Sequence, residues 1–126
     1  MRTRLLFVAM LFTAVAHAQE GEEAFRAAAA WTVQVRTAVS RPFIEDEFGT
    51  WFGAGLLVDA ERGWILTNAH VAGHSYGKIS IAFQDGHAVP ARRIYVDPDL
   101  DLAVLSYDTR RLEPKTQLPV LDCSSR

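Results

Sequence analysis

The stretch GAGLLVDAERGWILTNAHV, residues 53–71, decides how this chain is read. It carries most of one apolar run, residues 51–58, and all of another, 64–67, parted by a turn from Asp59 to Gly63. Short apolar runs bounded by Asp and Gly read as β-strands. Gly53 and Gly55 interrupt the first run at alternate positions, which points to a bend or to close approach of another segment. The apolar pattern stops at Thr67, and Asn68-Ala69-His70 follows, so His70 stands just beyond a strand end. A histidine there is usually a turn or surface residue, and taken alone it decides nothing.

N-terminal to this stretch, Trp31, Val33 and Val35 alternate with Thr32, Gln34 and Arg36, the period of a half-buried strand that Pro42 ends. An acidic loop runs from there to Gly49. On the other side, Ile79, Ile81 and Phe83 alternate with Lys78, Ser80 and Ala82. Asp85-Gly86 is a strong hairpin signal leading into a fifth strand at 88–96. Asp97-Pro98-Asp99 breaks that strand. Residues 102–105, LAVL, are apolar on both faces and predict a sixth strand that is deeply buried. No clear element follows Asp108. Before the first strand, residues 20–30 (EGEEAFRAAAA) have helix propensity, with acids in the first turn. Six short strands at this spacing predict an all-β barrel or sandwich.

The first eighteen residues read differently. Arg2 and Arg4 precede an apolar run from Leu5 to Val15, and Ala16-His17-Ala18 supplies a small-x-small cleavage pattern. This predicts a secretory signal peptide over 1–18, cut before Gln19, and hence a periplasmic or secreted protein. The apolar run is short for a bilayer span, so no stable membrane anchor is expected. The formal charge is −2 and becomes more negative once Arg2 and Arg4 are removed. No basic cluster suggests nucleic acid as a partner. Acids bunch at Glu20, Glu22 and Glu23 and at Glu45, Asp46 and Glu47, and both groups read as solvated surface. Cys123 is the single cysteine, which leaves no internal disulfide and no cysteine-type zinc site.

Two patterns could suggest a metal. His70 and His74 are four apart, but Gly73 and Gly77 argue against a sustained helix, and no third ligand stands out. Asp97, Asp99 and Asp101 form an Asp-x-Asp-x-Asp run. A calcium loop of the EF-hand kind wants glycine at its sixth position and glutamate at its twelfth, where this chain has Leu102 and Asp108. Asp97 and Asp99 read instead as turn formers around Pro98, and His87 as an exposed residue after the hairpin turn. Trp31, Trp51 and Trp64 read as core or barrel-edge packing. No metal or cofactor is expected.

Two segments together, Gly53-Ala-Gly-Leu-Leu-Val with Gly63-Trp-Ile-Leu-Thr-Asn-Ala-His70-Val, and Asp97-Pro-Asp-Leu-Asp101-Leu-Ala-Val-Leu, resemble the trypsin-like serine proteases. Within that fold family they are most similar to the bacterial HtrA (Deg) type. The resemblance covers about residues 31–107 and depends on the order and spacing of both motifs. It implies that the six strands form the antiparallel N-terminal barrel of a double-barrel fold, over 31–108, with 19–30 as a lead-in and 109–126 as the start of an inter-barrel linker. It also implies His70 as general acid/base and Asp101 as the buried carboxylate that orients it. A serine hydroxyl becomes a good nucleophile only when a correctly oriented imidazole removes its proton. The order histidine, aspartate, then serine fits this family.

The family's Gly-x-Ser-Gly-Gly segment does not occur in these 126 residues. The serines after Asp101 are Ser106, Ser124 and Ser125, none in that setting. The expectation is therefore a fragment of a serine endopeptidase acting on protein or peptide substrates. Its second barrel and nucleophile would lie beyond the chain, and alone it would be inactive and poorly stable. The alternative is a short, catalytically inactive secreted β-barrel acting as a binding or decoy module.

Overall fold

In the computed structural model, residues 21–43 and 46–112 are described. The expected signal peptide, Glu45, Cys123, Ser124, Ser125 and most of the expected linker lie outside these residues. Helix α1 spans residues 21–31. An Arg26–Glu22 ion pair at 2.9 Å lies one turn apart along its exposed surface. The expected strand start at Trp31 is corrected by one residue. Thr32 Oγ1 donates to the carbonyl of Ala28 at 2.9 Å, so Trp31 completes the last helical turn and extended backbone begins after it.

The strands are β1 (Thr32–Val39), β2 (Gly49–Asp59), β3 (Trp64–Thr67), β4 (Gly77–Ala82), β5 (Ala88–Asp97) and β6 (Leu102–Tyr107). They close into an antiparallel barrel in the order β1-β2-β3-β6-β5-β4. Closure leaves no free sheet edge. It also gives each strand one inward and one outward face, which is why the sequence alternates. Val33, Val35, Leu57, Ile65, Ile81, Val89, Ala103 and Leu105 fill the interior.

β6 departs from its expected burial on both faces. Ala103, Leu105 and Tyr107 point inward and are buried, whereas Val104 is part-buried and Leu102 is 37% exposed. A single barrel has only one interior, so the outward half of LAVL is only partly covered among the described residues. Trp64 also lies on the outer face, with the Arg62 guanidinium 5.3 Å from its ring centroid. At the far end of β6, Tyr107 meets Phe83 edge to face at 5.7 Å. A 3-10 turn, Thr109–Arg111, follows where no element was expected, and the Asp108 carboxylate caps it by accepting from Arg110 N–H.

β3 pairs with β6 so that Thr67 lies opposite Ala103. Carried slightly further, this antiparallel register brings the residues just after β3 against those just before β6. That corner carries the site.

Candidate active site

Past Thr67 the chain turns into helix α2, Ala69–Ala72, with Asn68 at its N-cap. The corner is pinned at both ends. Thr67 Oγ1 donates to the carbonyl of Ala54 at 2.7 Å, tying the end of β3 to β2. The carbonyl of Val71 accepts from Thr37 Oγ1 at 2.8 Å and from Trp51 Nε1 at 2.9 Å. The last carbonyls of a helix have no partner within it. Here the Arg93 guanidinium takes that role, donating to the carbonyls of Ala72, Gly73 and Ser75. The acidic loop holds the same segment from the other side: Asp46 accepts from the backbone N–H groups of His74 and Ser75. Partial burial opposes ionisation of Asp46, but hydrogen bonds from Ser75 and His74 outweigh it and hold the carboxyl below its ordinary value. Asp46 was expected to be simple solvated surface, and this is a correction. Its partners are some thirty residues distant, which no local pattern reveals.

The glycines of the opening motif now have a reason. A Cβ at Gly53 would sit 2.5 Å from the methyls of Val71, and one at Gly55 would sit 2.6 Å from Ile65. α2 packs directly on β2 only because position 53 has no side chain.

His70 and Asp101 are brought together. His70 Nδ1 lies 2.7 Å from Asp101 Oδ2, and His70 backbone N–H donates to Asp101 Oδ1 at 3.0 Å. Asn68 Nδ2 donates to Asp101 Oδ2 at 3.1 Å and to the Asp101 carbonyl at 3.2 Å. Asp101 is therefore grasped through its side chain and its backbone. Its φ of 52° places it in the left-handed region, which aspartate tolerates better than most residues. The tight turn before it is closed by Asp101 N–H on the carbonyl of Pro98 and by Leu100 N–H on Asp97 Oδ1 at 3.0 Å. The backbone N–H of His70 lowers the Asp101 carboxyl below its ordinary value. Desolvation, the next largest effect, opposes this, and the His70 ring and the Asn68 amide act with the backbone N–H against it.

The expected burial of this carboxylate is not met among the described residues. The Asp101 side chain is 45% exposed and the His70 side chain 71% exposed. Hydrogen bonds, rather than low dielectric, hold the carboxylate in its charged state here. With Nδ1 turned to Asp101, the Nε2 edge of His70 is left facing outward. An imidazole so held can take a proton at Nε2 while the carboxylate balances the resulting charge.

Ser106 stands opposite Trp64 in the register, at the end of β6 away from Asp101. Ser75 is fully buried, and its Oγ accepts from the backbone N–H of Phe43. His74 donates its backbone N–H to Asp46. His87 is exposed, with its N–H on Asp85. The residues missed by local reading are Asn68, Arg93 and Asp46. Only Asn68 carried a signal, its place within the Thr-Asn-Ala-His segment.

Residues 53–125 match the trypsin-like peptidase domain family. The chain belongs to that family. The domain is homologous to serine proteases of the HtrA/DegP kind. It is 34% identical over 90 residues to the pro-apoptotic serine protease NMA111 of Pyricularia oryzae, covering 70% of this chain and 9% of that protein. It is 31% identical over 98 residues to Protease Do-like 7 of Arabidopsis thaliana, covering 78% and 9%. A 60-residue match at 42% identity, 48% of this chain and 12% of the other, is to a Chlamydia pneumoniae protein named "Probable periplasmic serine endoprotease DegP-like". This trypsin-like domain thus spans about a tenth of the length of the curated relatives it matches. No helix among the described residues is long and apolar enough to cross a membrane.

Proposed function

We propose that the chain contributes the acid–base half of a serine endopeptidase that hydrolyses peptide bonds in proteins. The observation carrying this reading is the 2.7 Å contact between His70 Nδ1 and Asp101 Oδ2 at the mouth of the barrel. In this reading His70 removes the proton from a serine hydroxyl as it attacks the substrate carbonyl and returns it to the leaving amine. Asp101 holds the ring tautomer and stabilises the imidazolium. The nucleophilic serine and the backbone N–H groups that receive the oxyanion come from outside residues 21–112, in a second barrel packed against the mouth. Residues 1–18 act as a cleaved export signal, so the enzyme works in the periplasm or outside the cell. The relative from Chlamydia, with periplasmic in its name, supports that location.

The test expresses the whole reading frame that contains this sequence and measures cleavage of an unfolded protein such as casein. His70→Ala and Asp101→Asn each lower turnover, the latter by about 10⁴-fold through loss of the correct tautomer. Undiminished cleavage by the His70→Ala protein would overturn the reading. So would metal-dependent cleavage that ignores a serine-directed fluorophosphonate. An intact reading frame whose folded product has no peptidase activity at all would point instead to a binding or decoy module.

A further inference from the structure

We propose that Asn68 is a positioning residue for Asp101, its side-chain amide holding the carboxylate at the angle from which it meets His70. The inference rests on the reading of His70 and Asp101 as the catalytic pair, and it assigns the residue that keeps them in register.

Asparagine at a helix N-cap ordinarily turns its side-chain oxygen onto the N–H of the second or third helical residue. Asn68 is the N-cap of α2, and its side chain makes no such bond. The N–H that it would have satisfied belongs to His70, the second helical residue, and that N–H goes to Asp101 Oδ1. The two residues have exchanged duties. Asp101, from thirty-one positions away, caps the helix that carries His70, and Asn68 is released to donate to Asp101.

Both Asn68 donations come from Nδ2, one to the carboxylate and one to the carbonyl of the same residue. One amide group therefore fixes the carboxylate relative to its own backbone. That backbone has a φ of 52°, uncommon for a residue with a side chain, so something other than intrinsic preference must maintain it. The Asp101 carboxylate then accepts three bonds, from His70 N–H, His70 Nδ1 and Asn68 Nδ2. Of these, only the Asn68 bond is independent of the histidine. A group that must orient an imidazole needs an anchor other than that imidazole, and Asn68 supplies it.

A structural cap and a positioning donor respond differently to the isosteric change Asn68→Asp. Aspartate is as good an N-cap as asparagine but has no donor for Asp101, and it places a second carboxylate beside the first. The experiment follows the Nδ1 proton and ring nitrogens of His70 and the side-chain carboxyl carbon of Asp101 by NMR in isotopically labelled protein. Wild type, Asn68→Ala and Asn68→Asp are compared, with amide spectra reporting the fold. The expected order of the Asp101 titration midpoint is wild type lowest, Asn68→Ala higher and Asn68→Asp highest. The downfield Nδ1 proton signal of His70 is lost or broadened in both variants. If a folded Asn68→Asp protein keeps the wild-type Asp101 titration and Nδ1 signal, the proposal is overturned while the pair itself stands. If wild type shows no Nδ1 signal dependent on Asp101, the proposal and the catalytic reading both fall.

Discussion

The two ends of β6 are built on opposite principles. At its start, Asp101 is half in water, yet both carboxylate oxygens and the backbone carbonyl are engaged. At its end, Tyr107 is 4% exposed, and its hydroxyl is the buried side-chain polar atom without a partner among the described residues. Burial pushes that phenol up to about 12. One end depends on directional polar contacts in an open setting. The other depends on packing strong enough to tolerate an unmade hydrogen bond. Six residues of one strand thus join a site that needs orientation to a core that needs volume.

The largest effect is expected in the core. Leu105 is fully buried midway along β6, and Leu105→Ala should cost about 3 kcal/mol by leaving a cavity, read as a lower urea midpoint. It should weaken the whole barrel with little selective effect on the His70–Asp101 contact. Removing the clamp at the polar end should be smaller but more local. Arg93→Ala strips the carbonyls of Ala72, Gly73 and Ser75 of their donor and should cost about 2 kcal/mol. Amide hydrogen exchange should rise in residues 69–75 before it rises in the strands.

Acid tests the polar end specifically. The Asp101 carboxyl lies below its ordinary 3.8 in the folded protein. A depressed native value means that the unfolded chain takes up the proton first. The contribution of Asp101 is therefore complete above 3.8 and disappears as pH falls through the native value. Asp101→Asn should flatten the acid limb of a stability–pH profile measured by urea unfolding. The remaining slope would belong to Asp46, Asp59 and Asp108, whose carboxyls are also held low. The smallest effect is at the other end. Tyr107→Phe removes an oxygen that has no partner among the described residues and should leave stability unchanged or raise it by up to about 1 kcal/mol, seen as an unchanged or higher melting temperature. A clear loss of stability would mean that this hydroxyl has a partner outside the described residues.

Much of this was legible in order along the chain. Alternation located β1 and β4, apolar runs between turn residues located β2, β3 and β6, and the Asp85-Gly86 turn located β5, each to within a few residues. The Asp85-Gly86 turn falls where a tight connection joins β4 to β5, with Gly86 at a φ of 76°. The pairing of His70 with Asp101 came from the resemblance, not from periodicity. Burial at the two ends of β6 was harder to read. LAVL is apolar throughout, and composition could not say that Leu102 and Val104 face outward.

By itself, the sequence determined the strand count and the inward faces of β1 and β4, because these depend on local period, and its resemblance to a family singled out His70 and Asp101. Only the tertiary structure decided that Asp101 caps the helix bearing His70, that Asn68 turns away from its own helix, and that Asp46 and Arg93 hold residues 72–75 from two sides. Each of those contacts joins residues eighteen or more apart in the chain. Hydrogen bonds of that reach depend on barrel closure and register, which a reading along the chain cannot measure.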